Sequence, residues 1–520
     1  MFTISRQAQT FAAVAASTTA VAATMVLGHV IDGRLTTLLW SSLIACLVSV
    51  ISLLGKRLMS RSRPHRHAAP TCDSTIHNVS KDATKAKRDG MQPPCSVTNG
   101  KDSPAHKVSL RFGDTKNTVI VVGAGIAGLS AAASLHKVGI LVVVLEREGG
   151  PRQEGSAITF WPNAFRVLDA LGVAAPVRET HALVQRVEIV NWDGQLLRSF
   201  GLDECKGAPH DARIVRRNSL LNALRTAVPD HLVHYGVSVA SVQPTDNGAE
   251  VELSSGERLR CKAVIGCDGV KSRIAAFLGL KPASYAGEVY YRGVAVFPEG
   301  VPEAPGMLRM IWSERGVRVG ISTISRTECF WFTTLTCPEE ARQETPEKRK
   351  ADALASVSGF CSHIEAAIKR TPAAAVSRSR IVDRWLRADR PVGRGCITVA
   401  GDALHPMTPS LGQGGCIALE ASRPSCEGHK LSDGVMLAKA LVAAGGASAL
   451  AAAVADALRG YEAERVARAM PVTIKSHLMG AMLQIRFPGF PMVRNWFVRN
   501  FYPVHSFLTP AAFDCGTLEP

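Results

Sequence analysis

Three carboxylates in this chain, Glu146, Asp268 and Asp402, each follow a short, mostly apolar run: Ile140–Leu145, Ala263–Cys267 and Cys396–Ala400. Open α/β sheets gather their ligands at the carboxyl ends of such strands. The first acid comes with a fuller pattern. Thr118–Val122 reads as a buried strand, and Gly123-Ala-Gly125-Ile126-Ala127-Gly128 follows it at once. Leu129–Val138 has the apolar face of a helix, and Ile140–Leu145 is a second buried strand ending in Glu146. A glycine triplet acquires meaning in that strand–helix–strand setting. Gly123 permits the tight turn, Gly125 lets the backbone approach a pyrophosphate, and Gly128 lets helix and strand pack closely. The helix start offers free N–H groups to phosphate. Glu146 is placed to accept hydrogen bonds from a ribose, which disfavours a 2′-phosphorylated nucleotide at this position. Ile126, Ala127 and Arg147 join the candidate set for a dinucleotide.

The third acid opens a longer segment, Gly401-Asp402-Ala-Leu-His405-Pro-Met-Thr-Pro409-Ser-Leu-Gly412-Gln-Gly414-Gly415. Its final glycines would turn main-chain N–H groups toward a ligand just before a helix, an arrangement that favours negative charge. His405 reads as a packed turn residue rather than a catalytic one. No side chain in the sequence can be assigned a catalytic role.

From about Thr118 to Tyr461 the chain resembles the single-component FAD-dependent aromatic hydroxylases, and within them the plant flavin monooxygenases grouped with salicylate hydroxylase and zeaxanthin epoxidase. The resemblance rests on GxGxxG at 123–128, Asp268-Gly269, and the 401–415 segment, in that order. Arg217-Asn-Ser-Leu220 is similar to an Arg-x-x-Leu segment of that family, and Tyr290-Tyr-Arg292-Gly293 to the strand that opens its substrate domain. Phe513-Asp-Cys-Gly516 resembles endings of plant members. Squalene epoxidases have a different pattern in the corresponding Gly-Asp segment.

The resemblance implies an α/β fold, the aromatic hydroxylase fold, with a Rossmann-like FAD-binding domain and an antiparallel-sheet substrate domain. It implies that Asp402 meets the ribityl chain of FAD, that Asp268 lies near the pyrophosphate and the NAD(P)H route, and that Arg217 reaches the flavin side. Pro409 should lie near the reactive edge of the ring, with Gly401, Gly412, Gly414 and Gly415 shaping the cradle. It further implies that NAD(P)H supplies electrons, that O2 supplies the oxygen atom, and that a small-molecule substrate is hydroxylated or epoxidised. The protein must then hold the substrate at the flavin and exclude water. Trp312, Trp331 and Phe332 are expected either to line an apolar cavity or to be plain core. Nothing in the sequence separates NADPH from NADH.

One departure from the family pattern opens two further readings. After Ala418-Leu-Glu420 the expected helix is broken by twelve residues, 421–432, that include Pro424 and Gly428. Proline inside a helix costs about 3 kcal/mol, so the insertion should loop out. A flavin-fold scaffold without oxygenase activity, or an oxygen-independent flavin dehydrogenase, are the alternatives this raises.

The elements that position these residues fall into the following expected plan. Residues 1–56 form a membrane anchor, 57–116 a disordered basic linker, 117–287 the first part of the FAD-binding domain and 288–381 the substrate domain. Residues 382–470 form the second part of the FAD-binding domain, with the insertion 421–432, and 471–520 a helical tail. The anchor rests on Leu35–Leu54, which is uncharged and long enough to span a bilayer; its Leu, Ile and Val contribute roughly −3 to −7 kcal/mol to insertion. Phe11–Ile31, turned back at Asp32-Gly33-Arg34, could make it a transmembrane hairpin. Lys56, Arg57, Arg61, Arg63 and Arg66 follow, and keep the body on the cytosolic or stromal side. A cleaved targeting segment, to the chloroplast for example, is the alternative.

The formal net charge is +16, and residues 1–117 hold 15 Lys/Arg against 6 Asp/Glu. Because that surplus flanks an apolar run, it speaks for a membrane and against nucleic acid. Thirteen scattered cysteines without CxxC pairs argue against a disulfide framework or zinc site. In the tail, Arg486, Arg494 and Arg499 interleave with Phe487, Phe490, Trp496, Phe497, Phe501 and Tyr502. That mixture suits either a membrane surface or a helix packed on the body.

Overall fold

The computed structural model describes residues 112–151, 156–339, 344–360, 362–387, 389–420, 433–487 and 489–511. The expected anchor and residues 57–111 of the expected linker lie outside them, as do the 421–432 insertion and the Phe513–Gly516 ending. The end of that linker, 112–116, is not disordered but packed on the body, with Thr115 Oγ1 donating to Arg260 O at 2.6 Å and Phe112 against His234. Among the described residues no helix is long and apolar enough to cross a membrane.

Val119–Val122 is the centre of a five-stranded parallel sheet, in the order Ile397–Val399, Ala263–Gly266, Val119–Val122, Val142–Glu146, Val233–Tyr235. Its three central strands are near-continuous apolar runs because both faces are covered. Helix Ile126–Lys137 packs on one face through Leu129, Ala132 and Ala133, against Leu437, Ala438 and Leu441 of helix Asp433–Ala443. Parallel strands point their carboxyl ends the same way, so Glu146, Asp268 and Asp402 gather at one edge. The first helix begins at Ile126, three residues before the start expected from its apolar face, with Gly125 as its N-cap.

A seven-stranded sheet forms the second layer. Its order is Ser377–Asp383, Ser284–Val296, Glu328–Thr336, Val317–Thr323, Met307–Trp312, Arg186–Asn191, Leu196–Gly201. This corrects two expectations. The sheet is not confined to 288–381, since two of its strands come from 186–201. It is also not wholly antiparallel, because Met307–Trp312 pairs in parallel with Arg186–Asn191. Helices Pro346–Ser356 and Ser362–Arg370 cover one face, burying Ile311, Val319, Ile321 and Trp331.

The boundary expected at 470/471 is also absent. Ala451–Leu483 is one 33-residue helix that runs through Pro471. The chain then turns into helix Phe490–Phe501, which packs on the outer strand Leu196–Gly201. Arg494 is buried here, donating to Leu483 O at 3.2 Å with its guanidinium 5.7 Å from the Trp312 ring centroid. Burial pulls its pKa down to about 10. Tyr502 and Phe507 pack on Phe200, at 6.0 and 5.1 Å between ring centroids.

The long helix also carries a titratable link. His477 Nδ1 lies 2.7 Å from Asp383 Oδ2, at the end of strand Ser377–Asp383. That hydrogen bond raises the histidine pKa, with burial opposing it. A pKa raised by folding gives stability that is complete below the unfolded value, about 6.5, and is lost as pH rises through the folded value. His477→Gln is therefore expected to flatten the melting temperature of the folded body between about pH 6 and pH 8, read by calorimetry. An unchanged slope would remove the pair from the pH response.

Candidate active site

The carboxyl edge of the parallel sheet and the inner face of the seven-stranded sheet enclose a cleft of about 480 Å³. Of the fifteen residues expected at the site, Gly123, Gly125, Ile126, Ala127, Glu146, Arg147, Arg217, Asp268, Asp402, Pro409, Gly412, Gly414 and Gly415 line it. Gly128 and Gly401 do not. They are close-packing positions: a Cβ on Gly128 would lie 1.8 Å from Gly123 O, and one on Gly401 would lie 2.5 Å from Ala127 Cβ. Gly123 has φ +107°, a conformation strained for any side chain, and its Cα faces the Cys267 carbonyl.

Glu146 does more than wait for a ribose. Its Oε2 accepts from Ala124 N at 2.7 Å and its Oε1 from Glu148 N at 3.0 Å, so it fixes the glycine turn from the next strand. Asp268 Oδ2 accepts from Arg273 N at 2.7 Å, while its buried Oδ1 has no protein partner. Helix Ile126–Lys137 has no side-chain cap at its start and no acid in its first turn. An open N–H end and an orphaned carboxylate oxygen on one wall fit a pyrophosphate-linked nucleotide with hydroxyl donors. Arg384 props the third acid's turn by donating to the Ala403 and Leu404 carbonyls. Burial lowers its pKa, and Asp268 and Asp402 partly offset that.

The loop carrying Pro409 is pinned from behind. Thr408 Oγ1 donates to Ser476 Oγ at 2.8 Å, and Ser476 Oγ to Thr408 O at 2.6 Å. Arg318 Nη1 donates to Ser410 Oγ at 3.1 Å, and its Nη2 to Glu288 Oε2 at 2.5 Å, with both partners of that ion pair buried. His405 is buried and absent from the cleft wall.

The glycine turn launches only a short helix, Gly414–Leu419. Glu420 ends it, buried between Asn163, Arg465 and Arg468, with Asn163 Nδ2 donating at 2.8 Å. The insertion therefore begins after a fixed point, and the helix resumes as Asp433–Ala443. What faces the cleft is this short helix, through Gly414, Gly415 and Ala418, so its first N–H groups rather than a long helix dipole act on a ligand.

On the substrate side, Tyr290, Arg292, Phe330 and Phe332 line the cleft. Of the three aromatics singled out in the sequence, only Phe332 does so. Trp331 points to the opposite face, where its indole N–H donates to Thr371 Oγ1 at 2.8 Å, and Trp312 packs under the tail. Arg292 sits 5.2 Å from the Tyr290 ring centroid, and burial pushes the Tyr290 phenol pKa up, which keeps it a neutral donor. Sequence reasoning did not single out Met407, Thr408, Lys271 or Arg273 for the wall; the strand-end acids on either side of them were the available signal.

Comparison with known proteins agrees with this geometry. The profile of the FAD binding domain family matches residues 116–476. This chain belongs to the FAD-dependent aromatic hydroxylase family. Monooxygenase 2 of Arabidopsis thaliana is 30% identical over 418 residues, which are 77% of this chain and 98% of that protein. The aurachin C monooxygenase/isomerase of Stigmatella aurantiaca is 31% identical, covering 71% of this chain and 90% of its own. The crystal structure of Klebsiella pneumoniae HpxO complexed with FAD and uric acid superposes with a TM-score of 0.64 at 24% identity, covering 79% of this chain and 98% of that one. The flavoenzyme is an FAD-dependent monooxygenase, with NAD(P)H as the electron donor. FAD, when bound, supplies the redox and oxygen chemistry.

Proposed function

We propose that this flavoprotein hydroxylates or epoxidises a small aromatic or apolar molecule seated against Tyr290, Phe330 and Phe332. Substrate, O2, NAD(P)H and a proton become oxygenated substrate, water and NAD(P)+. The observation that carries the reading is that three strand-end acids and an aromatic sheet face share one cleft. The Gly125–Ala127 amides would hold the pyrophosphate of FAD, Asp268 would lie near it with its free Oδ1 accepting from a hydroxyl, and Asp402 would meet the ribityl chain. Pro409, fixed through Thr408 and Ser410, would set the position of the ring edge. The apolar wall excludes water from the reacting atoms, and the Tyr290 hydroxyl and Arg292 orient a polar group on the substrate.

The same reading places the body at a membrane, on its cytosolic or stromal side, tethered by residues 1–56. The support is the uncharged Leu35–Leu54 run and the basic cluster behind it. A mature protein beginning beyond residue 60 sinks the tether.

Turnover of the purified holoprotein against phenolic and isoprenoid compounds, with isotopically labelled O2 and mass spectrometry, tests the chemistry. The product should gain one labelled oxygen atom as NAD(P)H is consumed. Tyr290→Phe and Phe332→Ala should raise KM and leave the flavin spectrum unchanged. Bound flavin with no NAD(P)H consumption points to a scaffold, and anaerobic product to a dehydrogenase; either overturns the proposal.

A further inference from the structure

The helix Phe490–Phe501 is turned the unexpected way round. Its inward side buries Pro491, Arg494, Asn495 and Val498, so a guanidinium and an amide lie inside. Its outward side carries Met492, Val493 and Trp496, which are 73%, 60% and 58% exposed. Those three positions lie within about one and a half turns and share one helix face. Phe487 before the helix and Phe501 at its end add two more exposed rings. Contiguous apolar surface of this kind marks a contact site.

Charge selects the partner. From Arg465 to Phe513 the sequence contains no Asp or Glu, but it contains Arg465, Arg468, Lys475, Arg486, Arg494 and Arg499. Arg486 and Arg499 are exposed, one just before the helix and one in its last turn. An apolar strip with a tryptophan, fringed by arginines in a stretch of sequence free of acids, with Glu314 of a neighbouring turn the acid that acts on Arg494, matches a bilayer surface that offers acyl chains below and phosphates above. The other side of the tail is firmly held: Phe507 packs edge-on to Trp161 at 5.6 Å and on Phe200. The strip is therefore presented on a fixed base.

We propose that this face is a membrane contact of its own, with the helix lying in the plane of an anionic bilayer. Met492, Val493 and Trp496 enter the boundary between headgroups and acyl chains, and Arg486 and Arg499 bind lipid phosphates. The inference goes beyond the oxygenase reading and needs no insertion of residues 1–56.

The test uses the full chain mixed with vesicles of phosphatidylcholine and phosphatidylglycerol whose phosphatidylcholine carries brominated chains. Bromine quenches tryptophan at short range, so the difference between wild type and Trp496→Phe isolates Trp496 from the other tryptophans. The expected result is quenching of the Trp496 signal on anionic vesicles. It should fall when Arg486→Gln and Arg499→Gln are combined, each arginine weakening lipid attraction about fivefold. A Trp496 signal that stays unquenched overturns the proposal. So does equal quenching on purely phosphatidylcholine vesicles, because the arginines would then have no role. A dimer in solution that Trp496→Ser dissociates assigns the strip to a second copy instead, and also overturns it.

Discussion

Gly128→Ala is expected to yield a protein that purifies without its yellow colour. The added Cβ would fall 1.8 Å from the Gly123 carbonyl oxygen, which is backbone and cannot swing aside. Either the helix start or the glycine turn must shift, and both present N–H groups to the cleft. Overpacking costs about 1–3 kcal/mol, so flavin affinity should fall roughly ten- to a hundredfold, and the apoprotein should also melt lower. Gly125→Ala supplies the contrast. A Cβ there meets no protein atom within 4 Å and its φ is ordinary for alanine. It should leave the apoprotein's melting temperature alone and weaken flavin binding only by crowding the ligand. Titration of both apoproteins with FAD, beside calorimetry, separates the two roles. Wild-type affinity in Gly128→Ala would falsify the packing account.

Arg318→Met should produce the largest loss of stability of any single change proposed. It strands the buried Glu288 carboxylate, whose Oε2 accepts from Arg318 at 2.5 Å. Breaking a buried pair from one side costs about 3–5 kcal/mol, whereas replacing both partners by apolar residues is often neutral. The double variant Arg318→Met with Glu288→Leu should therefore recover most of the melting temperature. It should not recover full function, because Arg318 also donates to Ser410 in the Pro409 turn. With that turn released, more NAD(P)H should be oxidised without oxygenated product, appearing as hydrogen peroxide. If the double variant couples as well as wild type, Arg318 has no positioning role and serves only the ion pair.

The parts of this protein that were readable in advance are those whose logic is local. Val119 to Glu146 needs only neighbouring residues: a strand, a turn, a helix and a strand, with the acid where the second strand ends. Asp268 and Asp402 were legible for the same reason, each as a carboxylate just past a buried run. What was not legible depends on distant pairing. The parallel register of Met307–Trp312 with Arg186–Asn191 joins segments more than a hundred residues apart, and no periodicity announces it. Arg318, Glu288 and Ser410 likewise come from three separate elements. Trp331 and Phe332 are a different case. Adjacent strand residues face opposite sides, so the two could not both line one cavity. That alternation was present in the sequence, and applying it leaves Phe332 on the cleft and Trp331 in the core. Pro471 fell at an expected boundary, yet the helix passes through it, with packing of its neighbours Ala469, Met470 and Val472 overriding local propensity.

The seven-stranded sheet has a bearing on anyone exchanging specificity between relatives. A cassette cut at the ends of the contiguous stretch Ser284–Asp383 would leave behind the two strands at 186–201 that complete it. The grafted piece would then expose the ladder edge of Met307–Trp312 to a foreign neighbour, with the register of six residue pairs left to chance. A chimera that carries both segments together keeps that seam within one parent, and recombination breakpoints are best sited outside both.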